Sequence, residues 1–414
     1  MDRMIRARWV LVVPFWLAAG AAGQETGEVL EVVRRRYEGE VLAAGAEGAE
    51  AIWKEMGADG RWSDLAGGEV SAGALGRLEV LAVAWRRPGG DLQGRKDLLA
   101  SIRAGIDAWI EDDPRHPNWF VNEVAVPRAL GRAVVLLGRE LGPERRRGVD
   151  RILERAWPPP RGPGGRGAAA NLFYRVQAGV ARALLWDAPD RLRDASDRAA
   201  AEIRIVRGEG LQADLSFHQH GPQFYSGSYG LEYLGSAAWF AALVAGTPFA
   251  LPAEKVALLA DFALDGLGWI LCGAMIDPGA QGRNFSRKQA GTGGTSVGRA
   301  CRVLAALETP RRAELAALAD RLEGGVPGPG PPHGSRSFWR SDFLAHRRPG
   351  WYASVKMAST RLEGTESGNG EGLRQFHLAD GAAFVMRDGT EYAGVQPAWD
   401  AGTARGSEDC ASTM

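Results

Sequence analysis

Residues 216–230 read SFHQHGPQFYSGSYG, a stretch with two His and two Tyr in a chain that has six His and seven Tyr in all. Gly221, Pro222, Gly227 and Gly230 interrupt helix around the aromatics, and loops on a rigid scaffold are where reactive side chains most often sit. An imidazole and a phenol brought to one substrate atom make an acid/base pair. An aromatic packing loop is the alternative reading of the same residues.

Such a loop needs a scaffold, and the flanking sequence describes one. From about Glu25 to Glu323, segments such as LGRLEVLAVAWR, KDLLASIRAGIDAWIED, NEVAVPRALGRAVVLLGREL and GLEYLGSAAWFAALVAG carry apolar residues at i, i+3 and i+4, the period of a helix with one buried face. PAEKVALLADFALDGLGWILCG continues the series, and Gly, Pro and Asp punctuate it. Many helices on short connections predict a mainly α chain, a helical array or an incomplete α/α toroid over residues 24–323. GGVPGPGPPHGSRS then forbids helix, and residues 324–336 are assigned to a linker. Beyond it DFLAHRR, GWYASVKMAST, AAFVMRDG and EYAGVQP read as strands, so residues 337–414 are expected to be the start of an antiparallel β-sandwich ending in a disordered tail.

The N-terminus, MDRMIRARWVLVVPFWLAAGAAGQ, has a basic start, a short apolar run and small residues before Gln24. This is the pattern of a signal peptide over residues 1–23, and it predicts a secreted or periplasmic protein with no membrane attachment after cleavage. Lys and Arg total 50 and Asp and Glu total 50, a balance that argues against a nucleic-acid partner. The three cysteines, Cys272, Cys301 and Cys410, form no CxxC pair. Cys272 and Cys301 can bridge in an oxidising compartment or remain as buried thiols. The scattered His residues show no metal-ligand spacing, no cofactor is expected, and the sequence does not indicate a structural calcium.

Five segments in order resemble family 8 polysaccharide lyases, the hyaluronate, chondroitin AC and xanthan lyases. QHG and YG place His220 and Tyr229 nine positions apart, as in the catalytic segment of that family; His218 and Tyr225 fall outside those two positions. GAAANLFYR puts Asn171 at the family's catalytic Asn, 49 residues before His220. GRNFSR supplies Arg283 and Arg287. PNWFVNEVAVPRAL resembles the segment whose aromatics line the sugar cleft, with Trp119 matching and Phe120 replacing a second Trp. TESGNGEGLRQFHLADGAAF resembles the start of the β domain, with Glu366 and Asn369 at positions that face the cleft. HGPQ and GTPFAL lean toward the chondroitin AC branch. The resemblance covers roughly Trp53 to Asp400 and stops after VQPAWD. Family members run much further into β-sandwich, so a truncated copy is expected.

The resemblance implies β-elimination on a uronic acid within an anionic polysaccharide, by a monomer, in glycosaminoglycan degradation. Asn171 would stabilise the carboxylate as charge builds on it. His220 would share that task or act as the base, and Tyr229 would take the C5 proton or donate one to the leaving O4. Arg283 would favour the phenolate. Arg287 would bind substrate anions, and Trp119, Phe120, Glu366 and Asn369 would contact the sugar. Two other readings stay open. A glycoside hydrolase on the same scaffold would need two flanking carboxylates, with Asp214, Asp277 and Glu366 available. A sugar-binding relative would keep the cleft and lose the chemistry.

Overall fold

The computed structural model describes residues 26–65, 70–157, 165–287, 290–324, 333–373 and 375–395. Residues 1–23, read above as a signal peptide, most of the segment read as a linker, and the tail with Cys410 lie outside them. The chain divides into two compact units. The first comprises residues up to 161 with 173–199 and 243–250, and the second 162–172, 200–242 and 251 onward.

The first unit is helical. It holds α1 (Thr26–Leu42), α2 (Ala49–Lys54), α3 (Val70–Arg86), α4 (Lys96–Asp112), α5 (Val126–Leu137) and α6 (Gly142–Leu153), with most of α7 (Ala170–Leu185) and α8 (Pro189–Glu202). In α4 the apolar period does what it predicts: Leu98, Leu99, Ile102, Ile106 and Trp109 are all buried. Each such side chain contributes about 1.5–3 kcal/mol on burial. The segment NEVAVPRALGRAVVLLGREL is not one uniform helix. A π-turn over Val121–Ala125 precedes α5, which ends at Gly138 in a positive-φ conformation. Pro127, near the start of α5, has no N–H for the regular ladder and fits only near a helix start. α1, α3 and α5 pack together. Between them Arg132 is buried with Glu40 at 2.6 Å and Glu79 at 2.9 Å.

The second unit begins with the first turn of α7 and continues through α9 (Tyr229–Val244), α10 (Ala253–Asp261), α11 (Gly294–Ala305) and α12 (Arg312–Gly324). Two-residue ladders interleave with these helices: β1 (Gly210–Leu211) pairs with β2 (Phe217–His218), and β3 (Leu271–Cys272) with β4 (Met275–Ile276). The periodicity of PAEKVALLADFALDGLGWILCG predicts one helix. In fact α10 gives way to a π-turn at Phe262–Gly266 and a 3-10 turn at Leu267–Ile270 before β3. Gly266 and Gly268 lie in that break, and a Cβ on Gly266 would collide with the Leu215 carbonyl oxygen.

The C-terminal sheet has the order β5 (Gly334–Phe338), β6 (Phe343–Arg348), β7 (Trp351–Lys356), β8 (Ala382–Met386), all antiparallel. Two sequence assignments move. β5 starts at Gly334, inside the segment given to the linker, because Ser335–Phe338 ladder onto β6. EYAGVQP is not a strand where described: residues 391–394 form a turn, and the Glu391 carboxylate accepts the backbone N–H groups of Arg387, Asp388 and Gly389.

The inward face of this sheet is unusually polar. Tyr352 and Ser354 both donate to the buried Asp277 carboxylate, and Arg347 donates to the carbonyls of Gly268 and Leu271. Burial raises the Asp277 carboxyl to about 6 despite these donors, and lowers the Lys356 ammonium beside it to about 8. The sheet thus holds residues 268–277, and that segment leads directly into Arg283. Cys272 and Cys301 are free, buried thiols, which burial pushes up to about 11 and about 12. Among the described residues no helix is long and apolar enough to cross a membrane.

Candidate active site

Three pieces of the second unit converge. The first is the opening stretch itself. His218 bridges Phe224 in antiparallel fashion, the Tyr225 N–H donates to the Phe217 carbonyl at 2.9 Å, and the Phe217 N–H donates to Ser226 Oγ at 2.8 Å. This tight hairpin presents His220 at its tip with φ +56°. A non-glycine residue in the left-handed region costs energy that the surrounding contacts must offset, and such strain concentrates at working sites. Four residues past Tyr225, Tyr229 opens α9. Its ring stands edge-on to His220 at 4.9 Å and to Tyr225 at 5.0 Å.

The second piece is the 3-10 turn Gly282–Ser286, which carries Arg283. The Arg283 Nη2 donates to Tyr229 Oη at 3.2 Å, and its backbone N–H donates to Tyr225 Oη at 3.1 Å. Gly282 lies at φ +55°, and a Cβ there would run into the Tyr225 ring. Only glycine allows both the backbone turn and the close approach. Gly282→Ala is therefore expected to destabilise the fold by more than about 1 kcal/mol, read as a lowered midpoint in thermal unfolding. A midpoint equal to the parent's would mean Tyr225 does not need this approach.

The third piece is the loop after β7. One oxygen of Glu366 accepts from His220 Nδ1 at 2.8 Å, from Tyr225 Oη at 2.6 Å and from Arg283 Nη1. Burial pushes this carboxyl up, but the hydrogen bonds from His220 and Tyr225 and the charge of Arg283 win, and its pKa is lowered overall. An ionised carboxylate only accepts. The contact therefore calls for a proton on His220 Nδ1, and Arg283 Nη1 lies 3.2 Å from the same nitrogen.

Arg283 acts on Tyr229 in the expected sense, but the net shift is upward. Arg283 does pull its pKa down, but burial outweighs that pull and Glu366 adds to it, so the phenol is raised above its usual value of 10. The free site holds a neutral Tyr229. Arg287 is engaged within the protein: its Nε and Nη2 are held by Glu371 at 2.9 and 3.0 Å, and Glu371 also meets Arg283 Nε at 3.3 Å. Asn369 and Gly370 are the central residues of a two-residue turn, with φ +54° and +79°, closed by paired hydrogen bonds between Gly368 and Glu371. Asn-Gly is the residue pair such a turn favours, and this accounts for Asn369.

Asn171 is buried in the first turn of α7. The preceding Ala170 N–H donates to Gln219 Oε1 at 3.3 Å, which ties this turn to the residue next to His220. Trp119 and Phe120 belong to the first unit. Both are half-buried, in edge-on contact at 5.8 Å, with the Arg175 guanidinium 5.8 Å from the Trp119 ring centre. Neither is a core residue. His218 is interior: its Nε2 pairs with Ser341 Oγ at 2.9 Å, and burial lowers its pKa to about 4.

Two residues of the cluster, Tyr225 and Glu371, are not marked by the sequence motifs. Tyr225 stands outside the QHG and YG positions. For Glu371 the Asn-Gly pair just before it is a usable signal, since a two-residue turn fixes the position of the next residue. Asp214 and Asp277, the carboxylates available for hydrolysis, are both interior. Asp214 accepts from Ser216, and Asp277 is held by Tyr352 and Ser354. Among the described residues no group of His, Cys, Asp and Glu is arranged to hold a metal ion.

Residues 34–314 match the profile of the polysaccharide lyase family 8 N-terminal α-helical domain, and residues 333–404 match that family's super-sandwich domain. The chain belongs to polysaccharide lyase family 8. It is 28% identical over 361 residues to chondroitinase-AC of Pedobacter heparinus, covering 85% of this chain and 51% of that protein. It is 25% identical over 433 residues to a hyaluronate lyase of Thermasporomyces composti, covering 92% and 52%. A chondroitinase AC lyase solved in oligosaccharide complexes superposes with a TM-score of 0.78 at 27% identity, over 91% of this chain and 56% of that one. The chain spans about half the length of these relatives.

Proposed function

We propose that this chain carries the catalytic centre of a lyase that cleaves uronic-acid-containing polysaccharide of the chondroitin or hyaluronan type by β-elimination. The observation that carries the reading is the cluster of Tyr229, Arg283, His220 and Glu366, drawn from three distant sequence segments onto one point. In the reaction the C5–H bond breaks, the electron pair forms the C4–C5 double bond, the C4–O bond breaks, and O4 leaves with a proton. Negative charge builds on the uronate carboxyl as C5 loses its proton. The Asn171 amide and the His220 ring are the groups we assign to stabilise it. In a glucuronide the C5 hydrogen and O4 lie on one face, so one tyrosine serves both. Tyr229 as phenolate takes the C5 proton and returns it to O4, and Arg283 is the cation that makes this phenolate reachable.

A hydrolase reading is weaker because Glu366 and Glu371 are committed to arginines and Asp214 and Asp277 are interior. The deciding assay is ultraviolet absorbance of digested polysaccharide. Unsaturated uronate ends absorb; a hydrolase makes reducing ends without absorbance, and a binder makes neither. We assign Trp119 and Phe120 to sugar stacking. Trp119→Ala should raise KM on a long substrate more than it lowers kcat, and an unchanged KM would remove Trp119 from the sugar site. The N-terminal pattern of residues 1–23 supports export, which fits a substrate too large to enter a cell.

A further inference from the structure

His220 stands at a left-handed kink, φ +56°, and Gly221 follows at φ +88°. Neighbouring contacts must hold that kink, and the ladder beside it shows which. Gly210 pairs with His218 in the β1–β2 ladder, so Glu209 lies opposite Gln219 where the ladder ends. One Glu209 oxygen accepts the Gly221 N–H at 3.0 Å, and the other accepts from Gln219 Nε2 at 3.3 Å. The residues on both sides of His220 are therefore tied to one carboxylate.

Gln219 also reaches the other way. It is buried, at 0% exposure, and a buried amide is stable only with its polar atoms paired. Its orientation follows from its partners. A carboxylate only accepts and a backbone N–H only donates, so Nε2 faces Glu209 and Oε1 faces the Ala170 N–H at 3.3 Å. Ala170 opens α7, and the first N–H groups of a helix have no partner within it. The Ala169 N–H just before it, at φ +53°, is taken by Glu202 Oε1 at 2.7 Å. Asn171 is the residue after Ala170. A continuous chain of hydrogen bonds thus runs from Gly221 through Glu209 and Gln219 to the turn that presents Asn171. None of these links passes through Tyr229, Arg283 or Glu366.

We propose that Gln219 and Glu209 are positioning residues: a clasp that holds His220 and Asn171 in register with each other. The roles it serves rest on the lyase reading, in which both groups stabilise the charge that builds on the uronate carboxyl. Lost register then weakens the transition state more than the bound substrate, and a misplacement of about 1 Å is enough to lower the rate by about 10²-fold.

The test exchanges the two side chains. Gln219→Glu alone sets two carboxylates face to face. Glu209→Gln alone leaves two amides between two backbone donors, and no orientation of the pair satisfies both donors and the link between them. The double variant restores every link with the middle bond reversed: the carboxylate at 219 accepts from Ala170 and from the amide at 209, whose oxygen accepts from Gly221. Each single variant should lower kcat for release of unsaturated uronate by about 10- to 100-fold, with KM within about 3-fold of the parent. The double variant should recover most of the rate. Hydrogen exchange on the same proteins gives a readout free of turnover. In each single variant the Ala170 or Gly221 amide should exchange at least about 10-fold faster, with the amides of α4 unchanged, and the double should regain parental protection. Single variants at the parental rate, a double no faster than the better single, or lost rate with both amides still protected overturns the proposal. If a single variant fails to fold, the double decides alone: it must fold with both amides protected as in the parent, and one that does not overturns the proposal. An unmodified chain that makes no unsaturated uronate refutes the lyase reading, while hydrogen exchange still decides the clasp.

Discussion

Tyr229→Phe is expected to lower kcat by at least about 10²–10⁴-fold, the usual cost of a lost acid/base group, with little change in KM. The substitution removes one oxygen and keeps the ring, so the edge contacts to His220 and Tyr225 survive. Two readouts separate chemistry from packing. The first is the split itself: a group acting only in the transition state lowers kcat and kcat/KM together. The second is pH. Burial, then Glu366, hold the Tyr229 phenol above its ordinary value of 10 against the pull of Arg283. An acid with a raised pKa is less ionised at any given pH, so a reaction that needs the phenolate should speed up as pH rises through about 8 to 9, still below the phenol's ordinary range. Tyr229→Phe should lose that rise along with the rate. Near-normal production of unsaturated uronate by the variant would take Tyr229 out of the mechanism.

The elements were legible where one period persists. α4 and α9 follow their apolar spacing because nothing in them interrupts the helical ladder. The periodicity from 253 to 272 misleads because the same apolar residues bury equally well in a π-turn, a 3-10 turn and a strand. Only the close packing at Gly266 decides between these, and it is a tertiary fact. The inward face of the sheet was illegible for a related reason: Ser354, Lys356 and Arg347 look like outward residues until Asp277 and two carbonyls are brought beneath them.

At the site, the motif positions were legible in the sequence and the states of the side chains were not. Resemblance gave His220, Tyr229, Arg283 and Glu366 positions in the sequence, and the structure brings these four together. It could not give the protonation of Tyr229, which depends on how deeply α9 buries the phenol. Nor could it show that Arg287 meets Glu371, because nothing in GRNFSR or GNGEG states that two segments 84 residues apart share an ion pair. His220 illustrates the complementary case. Its type was notable from sequence, but its left-handed backbone follows from the hairpin closed by His218 and Phe224.

Arg283→Met should be as damaging as the loss of Tyr229, and through two separable effects. Arg283 is buried, and its guanidinium reaches Tyr229 Oη, Glu366 and Glu371 at once. Removing it leaves Glu366 ionised in a half-buried position with only His220 and Tyr225 to donate. Breaking a buried pair on one side costs about 3 kcal/mol, so the thermal midpoint should fall by several degrees. The catalytic effect has its own signature. After burial, Arg283 is the main influence on the Tyr229 phenol, and it acts to lower its pKa. Without it the phenol rises further and the phenolate becomes scarcer at neutral pH. The residual rate should be down by about 10²-fold or more, on the order expected for a lost electrostatic stabiliser, and its pH profile should move to the alkaline side of the parent's. Arg283→Lys keeps a charge but cannot reach both Tyr229 and Glu366 with one planar fork; it should recover part of the stability and little of the rate. A variant that melts early with an unmoved pH profile would reduce Arg283 to a structural clamp, and the ionisation of Tyr229 would then need another source.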